Sequence, residues 1–65
     1  MKTVKVSKIL RDLRDDGWIQ VRQRGSHRQF KHPTKKGTVT VNGKESTTIS
    51  GFLLKSIEAQ SGLKF

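Results

Sequence analysis

The side chain whose type and position best suit it to chemistry is His27, which directly follows a Gly25-Ser26 pair. Cationic residues lie close to it in sequence, at Arg24, Arg28 and Lys31. Histidine has an ordinary pKa of about 6.5, so it can remove the proton from an RNA 2′-hydroxyl, which then attacks the neighbouring phosphate. Nearby cations would stabilise the charge that builds up on that phosphate. The pattern therefore suits a ribonuclease that needs no metal, but it suits a passive RNA-binding surface as well.

Other chemistries find less support in the sequence. His32 lies five residues after His27, which in a regular strand puts the two side chains on opposite faces and about 16 Å apart. We therefore expect His32 to be structural, at a strand end before Pro33. The chain has two histidines and no cysteine, which disfavours a zinc site, and its five acidic residues show no paired-carboxylate pattern. Ser26 lacks the flanking Gly-x-Ser-x-Gly of a hydrolase elbow. No metal or cofactor is predicted.

Charge is the strongest global signal. The 65 residues include 14 lysines and arginines against five acidic residues, for a formal net charge of +9. A domain this small and this basic points to a polyanionic partner, and nucleic acid is favoured over an anionic membrane surface. The predicted RNA-binding residues are Arg22, Arg24, Ser26, Arg28, Lys31, Lys35 and Lys36.

Length and hydropathy predict one domain over residues 1–65 and a cytoplasmic location. There is no cysteine for a disulfide framework, and no apolar run approaches the roughly 20 residues of a membrane span. The lysines near the amino terminus are not followed by the apolar segment of a signal peptide.

The first helix is predicted to begin at Ser7, which can act as its N-cap. Its apolar face consists of Ile9, Leu10 and Leu13, and Gly17 is predicted to end it in the left-handed conformation. Residues 1–5 are either a first strand or a frayed arm.

Three strands are predicted next, over residues 18–24, 28–32 and 38–41, and Trp18 is expected in the core. In the first strand, Ile19 and Val21 alternate with Gln20 and Arg22. Inward residues of the other two are Phe30, Val39 and Val41. Predicted turns lie at Gly25-Ser26, residues 33–37 and Asn42-Gly43, followed by a loop over residues 44–48.

The second helix is predicted to be capped by Ser50 and to end at Gly62. Its predicted buried stripe is Ile49, Phe52, Leu53, Ile57 and Leu63. The order α-β-β-β-α indicates an α+β fold with both helices on one face of a three-stranded antiparallel sheet. The other face is then open, and it carries His27, Gln29, Lys31 and either Arg22 or Arg24.

Several segments of the chain resemble the HicA toxin family, and the likeness runs from Ser7 to Leu63. The segments that carry it are Asp16-Gly17-Trp18, residues 23–30 (QRGSHRQF), His32-Pro33, residues 51–57 (GFLLKSI) and Gly62-Leu63. The Gly-Ser-His segment between a Gly-Trp pair and a carboxy-terminal helix is its most specific part.

The resemblance implies a small bacterial or phage mRNA interferase with a double-stranded-RNA-binding-domain-like fold. It implies a catalytic histidine at His27 and a role in stress response. It also implies inhibition by a HicB antitoxin that covers the active surface, and HicB partners commonly bind operator DNA too. We therefore expect a metal-independent endoribonuclease acting on mRNA or other single-stranded RNA, and an antitoxin with an acidic surface over His27.

The main alternative is a non-catalytic RNA-binding module of the same topology. Double-stranded-RNA-binding domains grip phosphates with a lysine cluster at the start of their second helix. Residues 50–55 contain only one lysine, Lys55, so simple duplex binding is disfavoured. A small domain that reads DNA with its sheet is a further alternative. Comparing RNA with a 2′-deoxy substrate separates these readings from a ribonuclease.

Overall fold

The computed structural model describes residues 2–65 and contains two helices and five strands. The elements are β1 (Thr3–Lys5), α1 (Val6–Asp15), β2 (Ile19–Arg24), β3 (His27–Lys31), β4 (Thr38–Val41), β5 (Thr48–Ser50) and α2 (Gly51–Ser61). Strands β2, β3 and β4 form an antiparallel sheet in that order, and β1 pairs with β5 in a second, two-stranded antiparallel sheet. The predicted α+β architecture, with both helices on one face of a three-stranded sheet, is confirmed; the small sheet was not predicted.

One apolar core lies between the helices and the three-stranded sheet. Its buried side chains are Val4, Val6, Ile9, Leu10, Leu13, Trp18, Phe30, Val39, Val41, Ile49, Leu54, Ile57 and Phe65. The predicted apolar face of α1 is confirmed, and so are the inward positions of Phe30, Val39 and Val41. Trp18 is 2% exposed, as expected for a core residue, although it precedes β2 instead of starting it.

The predicted start of α1 was wrong. The helix begins at Val6 with Lys5 in the N-cap position, and no side chain caps it. The backbone N–H of Val6 donates to the carbonyl of Thr47 at 2.8 Å, and that of Ser7 to the carbonyl of Glu45 at 3.1 Å. Two of the helix's orphan donors are thus satisfied by the segment before β5, so a side-chain cap at Ser7 is not needed.

The segment between β4 and α2 also differs from its prediction. The backbone turn closes between Lys44 and Thr47, whose N–H donates to the Lys44 carbonyl at 2.9 Å, and not at Asn42-Gly43. Thr48 belongs to β5 and not to a loop. Ile49 is buried as predicted, but as a strand residue opposite Val4.

The predicted buried stripe of α2 was wrong at two positions. Phe52 is 92% exposed and Leu53 is 60% exposed, while Leu54 takes the core position at 4%. Leu54, Ile57 and Ser61 share the buried side of the helix at spacings of three and four residues. Ser50 occupies the N-cap position without a side-chain cap hydrogen bond, and Gly62 closes the helix at φ +74° as predicted. Neither helix of residues 2–65 has the length and apolar character needed to cross a membrane.

Candidate nucleic-acid interface

The hairpin of β2 and β3 carries His27 at its tip. Arg24 pairs directly with His27, so the connection is the two-residue turn predicted at Gly25-Ser26. Gly25 has φ +60°, while Ser26 has a negative φ, the pattern of a type II′ turn, in which glycine takes the first central position. The Gln23 side-chain amide donates to the Gly25 carbonyl at 3.1 Å and braces the turn. The local sequence of the turn thus fixes the position of His27 as the first residue of β3.

A β-bulge in β2 determines which arginines share a face with His27. Gln20 pairs with Phe30, but Arg22 pairs with Gln29, so Val21 is an extra residue in the ladder. In a regular strand starting from the same Gln20 pair, Arg22 and Arg24 would point to the helix side of the sheet. The bulge moves both to the other side. The alternation predicted from the sequence therefore fails after Gln20.

The face opposite the helices forms a shallow cationic surface at the hairpin. A depression of about 190 Å³ is lined by Arg22, Arg24, His27 and Gln29. Arg24 lies opposite His27 and Arg22 opposite Gln29 in the strand register. In the part of the chain that the structure describes, no hydrogen bond or ion pair involves the side chains of Arg22, Arg24 or His27. The two guanidinium groups and the imidazole are therefore available to bind an anionic ligand.

Three further predicted residues extend this surface or lie on connecting segments. Lys31 is exposed, two residues after Gln29 and therefore on the same face of β3. Ser26 is exposed in the hairpin turn, and Lys36 is exposed in the segment between β3 and β4.

Two of the predicted RNA-binding residues are engaged inside the protein instead. Arg28 is half-buried on the helix side of the sheet, and its guanidinium donates to the Gly43 carbonyl at 2.8 Å. The Lys35 ammonium lies 2.6 Å from the Asp16 carboxylate and 3.3 Å from the Ser61 carbonyl at the end of α2. The structure therefore brings neither group to the His27 face. Alternation along β3 already puts Arg28 on the face of Phe30, while nothing local signals the long-range partner of Lys35.

His32 is held by several contacts at the other end of β3. Its Nδ1 accepts the backbone N–H groups of Thr34 and Lys35, each at 3.1 Å, so the ring hydrogen is on Nε2, which donates to the Asp16 carbonyl at 2.7 Å. The ring meets Trp18 edge-on, with centroids 5.2 Å apart. A Cβ at Gly17 would lie 2.9 Å from His32 Nε2, so this approach requires glycine there. His32 is structural, as predicted.

Asp16 joins these contacts through its side chain. Its carboxylate accepts from the Lys35 ammonium at 2.6 Å and from the Trp18 indole N–H at 3.1 Å. The hydrogen bond from Lys35 holds the pKa of Asp16 below its ordinary value of 3.8; partial burial opposes this, and the positive charge of Lys35 adds to it. The Asp16–His32–Lys35 cluster therefore joins the ends of α1, β3 and α2.

Within residues 2–65, no three His, Cys, Asp or Glu side chains are grouped so that they could hold a metal ion. Asp16 is the acidic residue of the Asp16–His32–Lys35 cluster, with its carboxylate 4.0 Å from His32 Nε2, and that carboxylate already accepts hydrogen bonds from Lys35 and Trp18.

The structure so far defines a small basic α+β domain with a histidine and two arginines on the open face of its sheet. The model of a protein family described as the HicA toxin of bacterial toxin–antitoxin systems matches residues 6–63. The chain belongs to the HicA toxin family. Membership makes it a toxin of a toxin–antitoxin pair, and in general terms it implies an RNA substrate and a HicB-type antitoxin partner. Comparison with curated proteins gives no significant match.

Proposed function

We propose that this toxin is a metal-independent endoribonuclease that cleaves mRNA or other single-stranded RNA, with His27 as its general base. The observation that carries the proposal is the placement of His27 directly opposite Arg24 on an open sheet face. Its side chain forms no hydrogen bond or ion pair within the described chain. A histidine with a purely structural role would have internal partners, as His32 does.

In the proposed reaction, His27 takes the proton of a 2′-hydroxyl. The 2′-oxygen then forms a bond to the adjacent phosphorus, and the bond from phosphorus to the 5′-oxygen breaks. The products are a 2′,3′-cyclic phosphate and a 5′-hydroxyl end. Arg22 and Arg24 hold the phosphate and stabilise the charge that develops on its oxygens.

The leaving 5′-oxygen needs a proton, and the hairpin offers no second histidine for this. His32 is committed to Asp16 and to two backbone N–H groups at the far end of β3. Water then supplies the proton. We expect a slow enzyme, whose proton transfer contributes on the order of 10²–10⁴ to the rate.

The charge of the face supports a reaction without a divalent cation. Arg22 and Arg24 border the depression beside His27, and its lining contains no carboxylate. Two fixed positive charges repel a metal dication and attract a phosphate. Lys31, Lys36 and Ser26 extend the proposed RNA path, while Arg28 and Lys35 contribute through the fold.

The antitoxin is proposed to block this face. An acidic surface placed over His27 would pair with Arg22 and Arg24 and compete with RNA for the same charges. Cleavage of mRNA would place the toxin in the cytoplasm.

The decisive experiment is a cleavage assay in excess EDTA with mapping of the product ends. The parent chain and His27→Ala are each incubated with a structured single-stranded RNA, and with the same oligonucleotide carrying a 2′-deoxy sugar at the cleaved position. We expect cyclic-phosphate ends from the parent with all-ribose RNA only. Circular dichroism controls for the fold of the variant.

Binding without cleavage by both chains would overturn the proposal and leave a passive RNA-binding module. Cleavage of the 2′-deoxy substrate would exclude the 2′-hydroxyl as nucleophile.

A further inference from the structure

The start of α2 exposes two large apolar side chains that the fold does not use. Phe52 is 92% exposed and Leu53 is 60% exposed, next to each other on the first turn. Scattered apolar residues are ordinary on protein surfaces, but adjacent ones beside a groove mark interaction sites.

Leu53 borders an apolar groove between α2, β4 and the segment that leads into β5. The groove encloses about 370 Å³, and its apolar lining consists of Ile49, Leu53 and Ile57. The remaining lining is uncharged and polar, from Thr40, Asn42, Gly43, Thr47, Thr48, Ser56 and Gln60. Gln60 also accepts the free backbone N–H of Thr40 at 3.2 Å, so α2 blocks this edge of the sheet against a further strand.

The groove lies apart from the cationic hairpin face. The sheet order β2-β3-β4 puts β4 on the side of β3 away from β2, and the groove is on the helix side of the sheet. His27, Arg22 and Arg24 are on the opposite side, at the hairpin. A ligand in the groove therefore does not have to touch His27.

The charges in and around the groove indicate which kind of molecule it can bind. No cation lines the groove although the chain carries a net +9, so the groove is not built for a phosphate backbone. A second copy of the chain brings another +9 and is repelled. The exposed Lys44 and Lys55 directly neighbour the lining residues Gly43 and Ser56 in sequence. An occupant with an apolar anchor flanked by carboxylates matches both features.

We propose that Phe52, Leu53 and the groove beside them dock the HicB-type antitoxin, as an anchor separate from the His27 face. The partner's chemistry is an acidic segment that inserts an apolar side chain beside Leu53 and covers Phe52. The proposal rests on the proposed function only for the nature of the partner, because docking requires no cleavage. Two separate contacts allow the antitoxin to hold the toxin through a neutral surface while the cationic face is covered or released.

The test is a titration of the purified antitoxin of the same toxin–antitoxin pair onto the His27→Ala chain. The second chain carries His27→Ala with Phe52→Ser and Leu53→Ser. Because both side chains are exposed, the fold should be kept, and circular dichroism and a thermal melt verify this. We expect the dissociation constant to rise at least tenfold. The matched control is Ser7→Ala, an exposed side chain at the start of α1 that borders neither the groove nor the His27 face; we expect a change of less than twofold.

Three outcomes overturn the proposal. Equal affinity for the groove variant and its parent, or no binding to either, means that the antitoxin does not use this surface. A parent that sediments as a dimer and a groove variant that sediments as a monomer assign the groove to a second copy. Weaker RNA binding by the groove variant assigns it to RNA.

These outcomes are independent of the ribonuclease proposal. Cleavage is measured with the active chain and no antitoxin, where Phe52→Ser with Leu53→Ser should leave the rate unchanged. Docking is measured with a chain that lacks His27. A failure of one proposal therefore leaves the other standing.

Discussion

His27 is the first residue of β3 and His32 directly follows the strand, and the two histidines have opposite environments. His32 is bonded through both ring nitrogens and packed against Trp18, with a side chain only 10% exposed. His27 is exposed at the hairpin tip, opposite Arg24, and no described residue forms a hydrogen bond with its ring. Two residues of the same type, five positions apart, thus differ in environment: His32 stabilises the fold, and His27 lies on the open surface.

In the proposed mechanism, the hydrogen-bond partners of a histidine, and not its residue type, decide whether it can react. A ring whose two nitrogens are committed cannot accept a substrate proton without breaking its own contacts. A ring free of partners and next to guanidinium groups can do so when a phosphate binds. The comparison predicts that the loss of His27 should affect chemistry alone and the loss of His32 stability alone.

The largest effect is expected from His27→Ala. Loss of the general base should lower the single-turnover cleavage rate by about 10²–10⁴-fold. Because the side chain is exposed and unbonded, the free energy of unfolding should change by less than about 0.5 kcal/mol. Quench-flow or gel assays of RNA cleavage and urea unfolding measure the two quantities. A rate within threefold of the parent would remove His27 from the mechanism.

The reverse result is expected from His32→Ala. The substitution leaves two backbone N–H groups and the Asp16 carbonyl without partners beside a cavity at Trp18. It should reduce the free energy of unfolding by about 2 kcal/mol. Urea titration measures this, with His27→Ala as the matched control. The cleavage rate per folded molecule should stay close to that of the parent; a loss matching that of His27→Ala would contradict the assignment.

A smaller effect sharpens the comparison between the two faces of the hairpin. Arg24→Gln removes a guanidinium beside His27 and should lower kcat/KM about tenfold, or about 1.4 kcal/mol. Arg28→Gln removes the hydrogen bond to the Gly43 carbonyl and should lower stability by about 1 kcal/mol with little effect on cleavage.

Steady-state kinetics at several salt concentrations distinguish the two arginine variants. Arg24→Gln should also reduce the salt dependence of RNA binding, because one fewer phosphate contact releases one fewer counterion. Equal kinetic losses for both variants would mean that Arg28 leaves its internal partner to reach RNA.

Local patterns in the sequence were enough to predict much of the fold. The Gly25-Ser26 turn, the apolar face of α1 and the inward Val39 and Val41 follow from turn chemistry and periodicity. The strand status of Ile49 depends on pairing with Val4, 45 positions earlier, which no local pattern reveals. The separation between partners explains why the two-stranded sheet was missed.

The candidate site was predictable in part. The position of His27 on the face away from Phe30 follows from alternation along β3. The bulge at Val21 does not, because nothing in the sequence of β2 marks an extra residue, and it decides the face of Arg22 and Arg24. The exposure of Phe52 and Leu53 was missed because three consecutive apolar residues, 52–54, fit more than one helical face, and packing selected Leu54.

The smallest expected effect is a loss of thermal stability at low pH. It should depend on Asp16, which contacts His32, and not on His27. The Lys35 hydrogen bond holds the pKa of Asp16 below its ordinary value of 3.8, so the native state favours the ionised carboxylate. The stability this confers is fully present above the unfolded-state pKa and is lost as pH falls through the lower folded-state pKa. Asp16→Asn should therefore have a lower Tm than the parent at pH 7, and the gap should close as the pH drops below 3.8. Thermal melts of Asp16→Asn and the parent from pH 7 to pH 2 test this; a gap that persists at pH 2 would mean that Asp16 acts through the Trp18 hydrogen bond and not through its charge.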